Sequence, residues 1–373
     1  MGRSMIYLDA NATEPLRPEA RAAVLAALEI VGNPSSVHRA GRIARAALED
    51  AREVIAARFG ARPADTVFTS GGTEADALAI HALGHNAGRR VIIGATEHDA
   101  IRSAAPNARV MPVDRDGIAD LDALAALLAE GGPALVCLML ANNETGTLQP
   151  VQQAAEVCRL AGALLHVDAV QAAGRVSVDL RALGAHSLAL SAHKLGGPKG
   201  AGALLLAEEY TALAALISGG GQERGRRGGT PPLPAIAGFA AAADAVSDRS
   251  QLTALRDAIE RAAFAAGGIV LASGAPRLDN TICLALPGIR ADQQVIALDL
   301  EGFAVSAGAA CSSGKMAESH VLAAMGLGTL ANQSIRISLP WNVLPEDVAA
   351  FLPAYARMAE QLGATQPLSP RAA

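Results

Sequence analysis

The chain has 373 residues, 51% of them hydrophobic, 18% charged and only 3% aromatic, with a formal net charge of −5. A disordered chain is excluded, and the length allows about two or three domains with cores built mainly of Leu, Val, Ile and Ala. The acidic balance gives no reason to expect nucleic acid or an anionic membrane as a partner.

At the N-terminus, Met1-Gly2-Arg3-Ser4-Met5-Ile6 lacks the apolar core of a secretory leader. Ile6 also stands where a myristoylation signal wants Ser or Thr. Further on, short apolar runs at 67–69, 91–93, 135–140, 163–167, 187–190 and 202–206 read as strands buried on both faces. Amphipathic stretches at 74–85, 121–128 and 151–160 read as helices between them. This alternation predicts a largely parallel, doubly wound α/β sheet, whose ligands gather at the C-terminal ends of the strands. No run approaches the ~18 apolar residues of a membrane span.

Polar motifs stand at those strand ends. Ser70-Gly71-Gly72-Thr73-Glu74 opens a helix after a strand and fits an anion, or it is simply a capped helix start. It is neither a Walker loop nor GxGxxG. In Thr96-Glu97-His98-Asp99-Ala100, His98 can stack on a planar group or shuttle protons, although a lone histidine is commonly structural. His81 and His85 are four apart but lack the glutamate of a zinc helix, and read as an exposed face. Asn142-Asn143-Glu144-Thr145-Gly146 is a polar turn, at a place where a ligand contact is available.

Asp168, in His166-Val167-Asp168-Ala169-Val170-Gln171, caps the next helix or faces a ligand, and the two roles are compatible. Lys194 lies in Ser191-Ala192-His193-Lys194-Leu195-Gly196-Gly197-Pro198-Lys199-Gly200. An apolar setting lowers the pKa of an amine and frees its lone pair for a Schiff base, and small hydroxylated neighbours suit a phosphate. That combination suggests pyridoxal 5′-phosphate; an ordinary surface lysine is the plainer alternative. The Gly- and Arg-rich run 219–230 reads as a loop presenting an anion site, across a subunit interface.

After Pro231-Pro232 an Ala-rich stretch to about residue 267 reads as helical and as a connector between domains. Beyond it, strands at 281–286, 303–306 and 335–339 and helices at 292–300 and 345–362 suggest a smaller α+β domain, with 365–373 a frayed tail. Four scattered cysteines form no CxxC pair, so neither a zinc site nor a disulfide framework is expected, and a reducing cytoplasm is the simplest compartment. Cys311 sits in the small-residue stretch Ser306-Ala307-Gly308-Ala309-Ala310-Cys311-Ser312-Ser313-Gly314, which suits an accessible thiol. Cys137, Cys158 and Cys283 lie in apolar segments and read as packing residues. Arg336, on an alternating strand, faces away from Ile335 and Ile337; it is either a carboxylate clamp or a surface salt bridge.

Together these segments, with Tyr7 to Thr13 and Gly32 to His38, resemble the pyridoxal-phosphate cysteine desulfurases of the NifS/IscS type, in the class V aminotransferase group. The resemblance implies fold type I: a mainly parallel seven-stranded sheet in a cofactor-binding large domain over 15–255, and a small domain over 1–14 and 256–373 that carries the catalytic cysteine. It implies that Lys194 holds the cofactor as a Schiff base, Asp168 pairs with the pyridine nitrogen, Gln171 contacts the ring hydroxyl and His98 stacks on the ring. Gly72, Thr73, Ser191 and His193 would hold the phosphate, with Thr230 reaching in from the partner of a homodimer. Asn143 would touch cofactor and substrate, Arg336 would bind the substrate carboxylate, and Lys194, His98 and Cys311 would be the catalytic groups.

The implied reaction takes sulfur from L-cysteine, leaving L-alanine and a persulfide on Cys311 for an acceptor or scaffold protein of iron–sulfur or thiolation pathways. No resident metal is implied on the apo chain, although Cys311 can serve as a transient iron–sulfur ligand. The stretch Cys311 to His320 resembles the subtype with the longer loop. Two departures stand out: Pro231-Pro232 replaces the usual Glu-Asn, and Ala77 replaces a common Asn. A selenocysteine lyase or another class V aminotransferase would share the cofactor residues, and Cys311 argues for sulfur or selenium chemistry between them. A catalytically silent scaffold would show no cofactor absorption band.

Overall fold

The structure is a computed structural model, described over residues 5–207, 213–245, 249–308 and 318–363. A seven-stranded sheet runs in the order Thr66–Thr69, Gly202–Leu206, Ser187–Ser191, Leu164–Asp168, Ala134–Met139, Arg90–Gly94, Arg109–Met111. Gly202–Leu206 is antiparallel to both its neighbours, and the other pairings are parallel. Six of these strands are the apolar runs of the sequence. The seventh, Arg109–Met111, is a three-residue edge strand with two exposed positions, so it carries no apolar run to detect.

The sheet is covered on both faces. Val136, Leu138, Leu165, Leu188 and Leu190 point into one core, shared with Ala44, Leu48, Ile55, Ile236 and Phe239. Leu135, Cys137, Leu164, Ala189 and Leu204 point into the other, shared with Leu78, Ile80, Leu83 and Ile101. The period of two along each strand thus places successive side chains in opposite cores.

Helices Pro18–Leu28 and Arg39–Arg58 pack on the first face with Leu233–Asp244. The Ala-rich stretch after Pro232 is therefore two helices and not one connector: Leu233–Asp244 belongs to the large core, and Leu252–Ala265 to the small one. The helix expected over 74–85 is α-helical at Gly72–Ala79 and a π-helix at Ile80–His85.

A four-stranded antiparallel sheet follows the order Ser306–Ala307, Ser334–Ser338, Thr281–Ala285, Ile269–Val270. The strand expected over 303–306 is split: Phe303–Ala304 pairs instead in parallel with Ile6–Tyr7. Ile282, Leu284, Ile335 and Ile337 pack under helices Leu252–Ala265, Ala291–Leu300 and Pro345–Gln361. Arg336 alternates to the opposite face, in register with Cys283 and Ser306. The tail 365–373 lies outside the described residues. No helix among the described residues is long and apolar enough to cross a membrane.

Candidate active site

The C-terminal ends of the central strands open into a cavity of about 580 Å³. Lining it are Gly72, Thr73, His98, Asn143, Asp168, Gln171, Ser191, His193, Lys194 and Arg336, ten residues singled out from the sequence and drawn from six separate stretches. Thr230 is exposed in the single chain and does not line it. Cys311 lies outside the described residues.

One end of the cavity is built for an anion. Helix Gly72–Ala79 presents its N-terminus there, beside Ser191, His193 and Lys199. Packing dictates glycine at two positions. A Cβ on Gly72 would lie 2.5 Å from Val170 Cγ2, and one on Gly202 would lie 2.6 Å from the carbonyl carbon of Gly71. The one acid of this helix turn is neutralised. Glu74 accepts from Arg227 at 2.8 Å and from the Ser70 backbone N–H at 2.7 Å, which holds its carboxyl below the usual range.

That contact also docks the Gly-Arg loop. Its Glu223, buried, takes two hydrogen bonds from Arg52 at 2.7 and 2.8 Å and one from the Phe68 N–H at 2.9 Å. Pro232 then caps helix Leu233–Asp244, so the Pro-Pro departure is absorbed as a helix start. Burial, with Lys194 and Lys199 nearby, pushes His193 down to about 4, so it is a neutral imidazole, and its Nδ1 lies 3.2 Å from Thr13 Oγ1.

Asp76 and Asp168 line the floor, and Glu97 is buried near them. Burial pushes Asp76 and Glu97 well up, and the negative charge of Asp168 adds to both shifts. Burial also raises Asp168, opposed by the Val170 backbone N–H and by His98 and Lys194 beside it. Its Oδ1 accepts from the Val170 N–H at 2.9 Å in a turn; no helix follows, so the expected helix cap is a turn contact instead. Asp76 Oδ1 lies 3.0 Å from His166 Nε2, and His166 Nδ1 lies 2.8 Å from Ser187 Oγ. Burial holds His166 neutral, with its pKa lowered to about 3. Asp168 is the carboxyl group that faces the cavity beside Lys194 and His98.

Lys194 follows the strand Ser187–Ser191 in a 3₁₀ turn, and its Nζ donates to the backbone carbonyl of Asn11. Asn11 is a residue to which the sequence assigned no role. It also bonds the Asn143 carbonyl through Nδ2 at 3.1 Å and takes the Gln171 amide at 2.9 Å, tying the N-terminal segment to three predicted site residues. The sole hint in the sequence was the resemblance of Tyr7 to Thr13. Arg336 is buried and no surface salt bridge: Nη2 donates to Asp9 at 2.7 Å and Nη1 to the Asn143 carbonyl at 3.0 Å, while among the described residues its Nε has no partner.

His98 lines the cavity and its Nδ1 accepts from the Ala100 N–H at 3.1 Å, so it caps helix Asp99–Ala104 as well. Cys137, Cys158 and Cys283 are buried and free, and burial pushes the thiols of Cys158 and Cys283 up to about 12, so they are inert packing groups.

The donor set fits pyridoxal 5′-phosphate. A helix N-terminus with hydroxyl and lysine neighbours would take a phosphate, the Asp168 carboxyl would pair with a ring nitrogen, and Lys194 lines the same cavity for the aldehyde.

Comparison with known proteins agrees. Residues 6–351 match the family described as aminotransferase class-V. The chain is 42% identical to a cysteine desulfurase of Cereibacter sphaeroides, over 97% of each chain. It is 37% identical to an IscS-like cysteine desulfurase of Mycobacterium tuberculosis, over 93% of this chain and 94% of the other. The solved structure of a NifS-like protein from Rickettsia africae superposes with a TM-score of 0.88 at 33% identity, covering 95% of this chain and 99% of that one. By fold, cavity and descent, then, the chain belongs to the class V aminotransferase family and, within it, to the pyridoxal-phosphate-dependent cysteine desulfurases of the NifS/IscS type.

Proposed function

We propose that this chain takes sulfur from L-cysteine, releases L-alanine and leaves a persulfide on Cys311, using Lys194, Asp168, His98, Asn143 and Arg336 as its site. The observation that carries the reading is the convergence of Lys194, the buried carboxyl of Asp168 and the buried guanidinium of Arg336 on one cavity. The bound cofactor supplies an electron sink for the charge left when the Cα proton departs. Gly72, Thr73, Ser191 and His193 would hold its phosphate, Asp168 its ring nitrogen, Gln171 its ring hydroxyl, and Lys194 its aldehyde.

Within this reading the residues divide the work. Arg336 and Asn143 orient the substrate carboxylate. Lys194, once its amine is free, takes the Cα proton, and His98 moves protons on the other side of the site. The Cys311 thiolate attacks the substrate sulfur: the S–S bond forms, the Cβ–S bond breaks, and its electron pair stays with carbon, which takes a proton to become alanine. L-cysteine plus the enzyme thiol gives alanine plus the enzyme persulfide, with no external oxidant or reductant.

The large domain over 15–255 and the small domain over 1–14 and 256–373 are part of the same proposal, as is a homodimer in which Thr230 completes the partner's phosphate site. A protein acceptor then receives the sulfur in a cytoplasmic setting.

Incubation with L-cysteine alone should add the mass of one sulfur to the peptide containing Cys311 and release alanine in equal amount. Alanine without added mass on Cys311 would sink the nucleophile assignment. For the substrate clamp, Arg336→Lys is expected to raise KM for L-cysteine about 10- to 100-fold, because one guanidinium currently serves Asp9, the Asn143 carbonyl and the incoming carboxylate. An unchanged KM would remove Arg336 from the substrate site.

A further inference from the structure

Glu144 is buried, 3% exposed, at the turn beside Asn143. Among the described residues its carboxylate takes one side-chain hydrogen bond, from Ser319 Oγ to Oε2 at 2.6 Å. The same oxygen meets a second segment. A Cβ placed on Gly308 would lie 2.7 Å from Glu144 Oε2. One oxygen atom is thus wedged between Gly308 and Ser319, the two positions that bracket the Cys311 stretch along the chain.

The turn beneath is rigid. Asn142 Oδ1 accepts from the backbone N–H groups of Glu144 and Thr145 at 2.8 and 3.0 Å. Ser319 is fully buried and in turn accepts from the Leu322 N–H at 3.1 Å, so its hydroxyl is fixed from the other side. A buried carboxyl group held by a single hydroxyl is expensive for stability, and a side chain at Gly308 would have to displace its Oε2. Packing alone would be better served by an apolar residue.

We propose that Glu144 is a positioning residue for sulfur transfer: by holding Gly308 and Ser319 against one fixed oxygen, it sets where the chain segment carrying Cys311 begins and ends relative to the substrate site at Asn143. This rests on the desulfurase reading above.

The electrostatics fit an adjustable clamp. Burial pushes the Glu144 carboxyl up to about 7, opposed by the Ser319 hydroxyl, Arg336 and His98 and reinforced by Asp99. These groups come from the small-domain strand Ser334–Ser338, from helix Asp99–Ala104 with its cap, and from Ser319 itself. The ionised carboxylate, present above about pH 7, accepts the Ser319 hydroxyl most strongly.

The test uses single-turnover persulfide formation at Cys311, read by mass, in the cofactor-loaded protein. Glu144→Gln is expected to slow that step about tenfold, the scale of a charge-assisted hydrogen bond. Cofactor retention and the spectral change on adding L-cysteine should stay within about twofold. The wild-type rate should rise with pH through an ionisation near 7 that the Gln variant lacks. Gly308→Ala should slow the step in the wild-type background and add little on top of Glu144→Ala, because the clash it creates is with Oε2.

A wild-type rate in Glu144→Gln overturns the proposal, and so does an equal cost of Gly308→Ala in both backgrounds. If the Glu144 variants fail to fold, Gly308→Ala and Ser319→Ala in the native background carry the same test, and a native rate in both overturns it. Wild-type protein that forms no persulfide at Cys311 overturns the desulfurase reading and this proposal together. Normal wild-type persulfide beside undisturbed variants overturns this one alone.

Discussion

Replacement of Lys194 by Ala is expected to lower turnover of L-cysteine by roughly 10²- to 10⁴-fold, the usual contribution of a positioned acid–base group. The structure explains the size of the effect. The amine stands at a strand end with the Asn11 carbonyl as acceptor and the Asp168 carboxyl close enough to interact with its charge. His193 next to it is neutral and cannot take over as a cation. Lys199 lines the same cavity but is exposed, two turns of loop away from the strand end. Borohydride treatment of the loaded wild type should fix the cofactor's mass onto the peptide holding Lys194, and the variant should show none. Activity within tenfold of wild type would transfer the role to another amine.

Replacement of Cys311 by Ala should abolish persulfide and sulfide release while the protein keeps its cofactor colour and still binds L-cysteine. The drop is expected to reach the detection limit, because no second thiol can substitute. Cys137, Cys158 and Cys283 are buried, and burial holds their thiols in the protonated form. The variant thus separates cofactor chemistry from sulfur capture. A fully active Cys311→Ala enzyme is the outcome that defeats the assignment.

Much of this site was legible because each strand that reaches it is an unbroken apolar run ending in polar residues. The eye is led from Leu135–Met139 to Asn143, from Leu164–Val167 to Asp168, and from Ser187–Leu190 to Lys194. What stayed hidden was whatever depends on remote partners. Asn11 is decided by Lys194, Gln171 and Asn143, all more than a hundred residues away. Asp76 looks like an ordinary helical acid until His166 is found 3.0 Å from it. The helices at Pro18–Leu28 and Arg39–Arg58 left a weak trace because their buried stripes are mostly alanine, with a buried Arg52 in the second. The double strand break at 303–307 was invisible because the two halves feed different sheets.

The register of the antiparallel strand has a consequence for how the protein is made. Thr69 stands opposite Gly202, and Gly202 opposite Ser191. The anion end of the cavity is therefore walled by three stretches that meet only when Gly202–Leu206 slots between two strands made earlier. Gly71 and Gly202 touch there backbone to backbone. On a ribosome, the loop before helix Gly72–Ala79 emerges well before its third wall exists. Cofactor capture is accordingly a late event in biogenesis, and the colour of the protein reports a sheet whose last central strand is already in place.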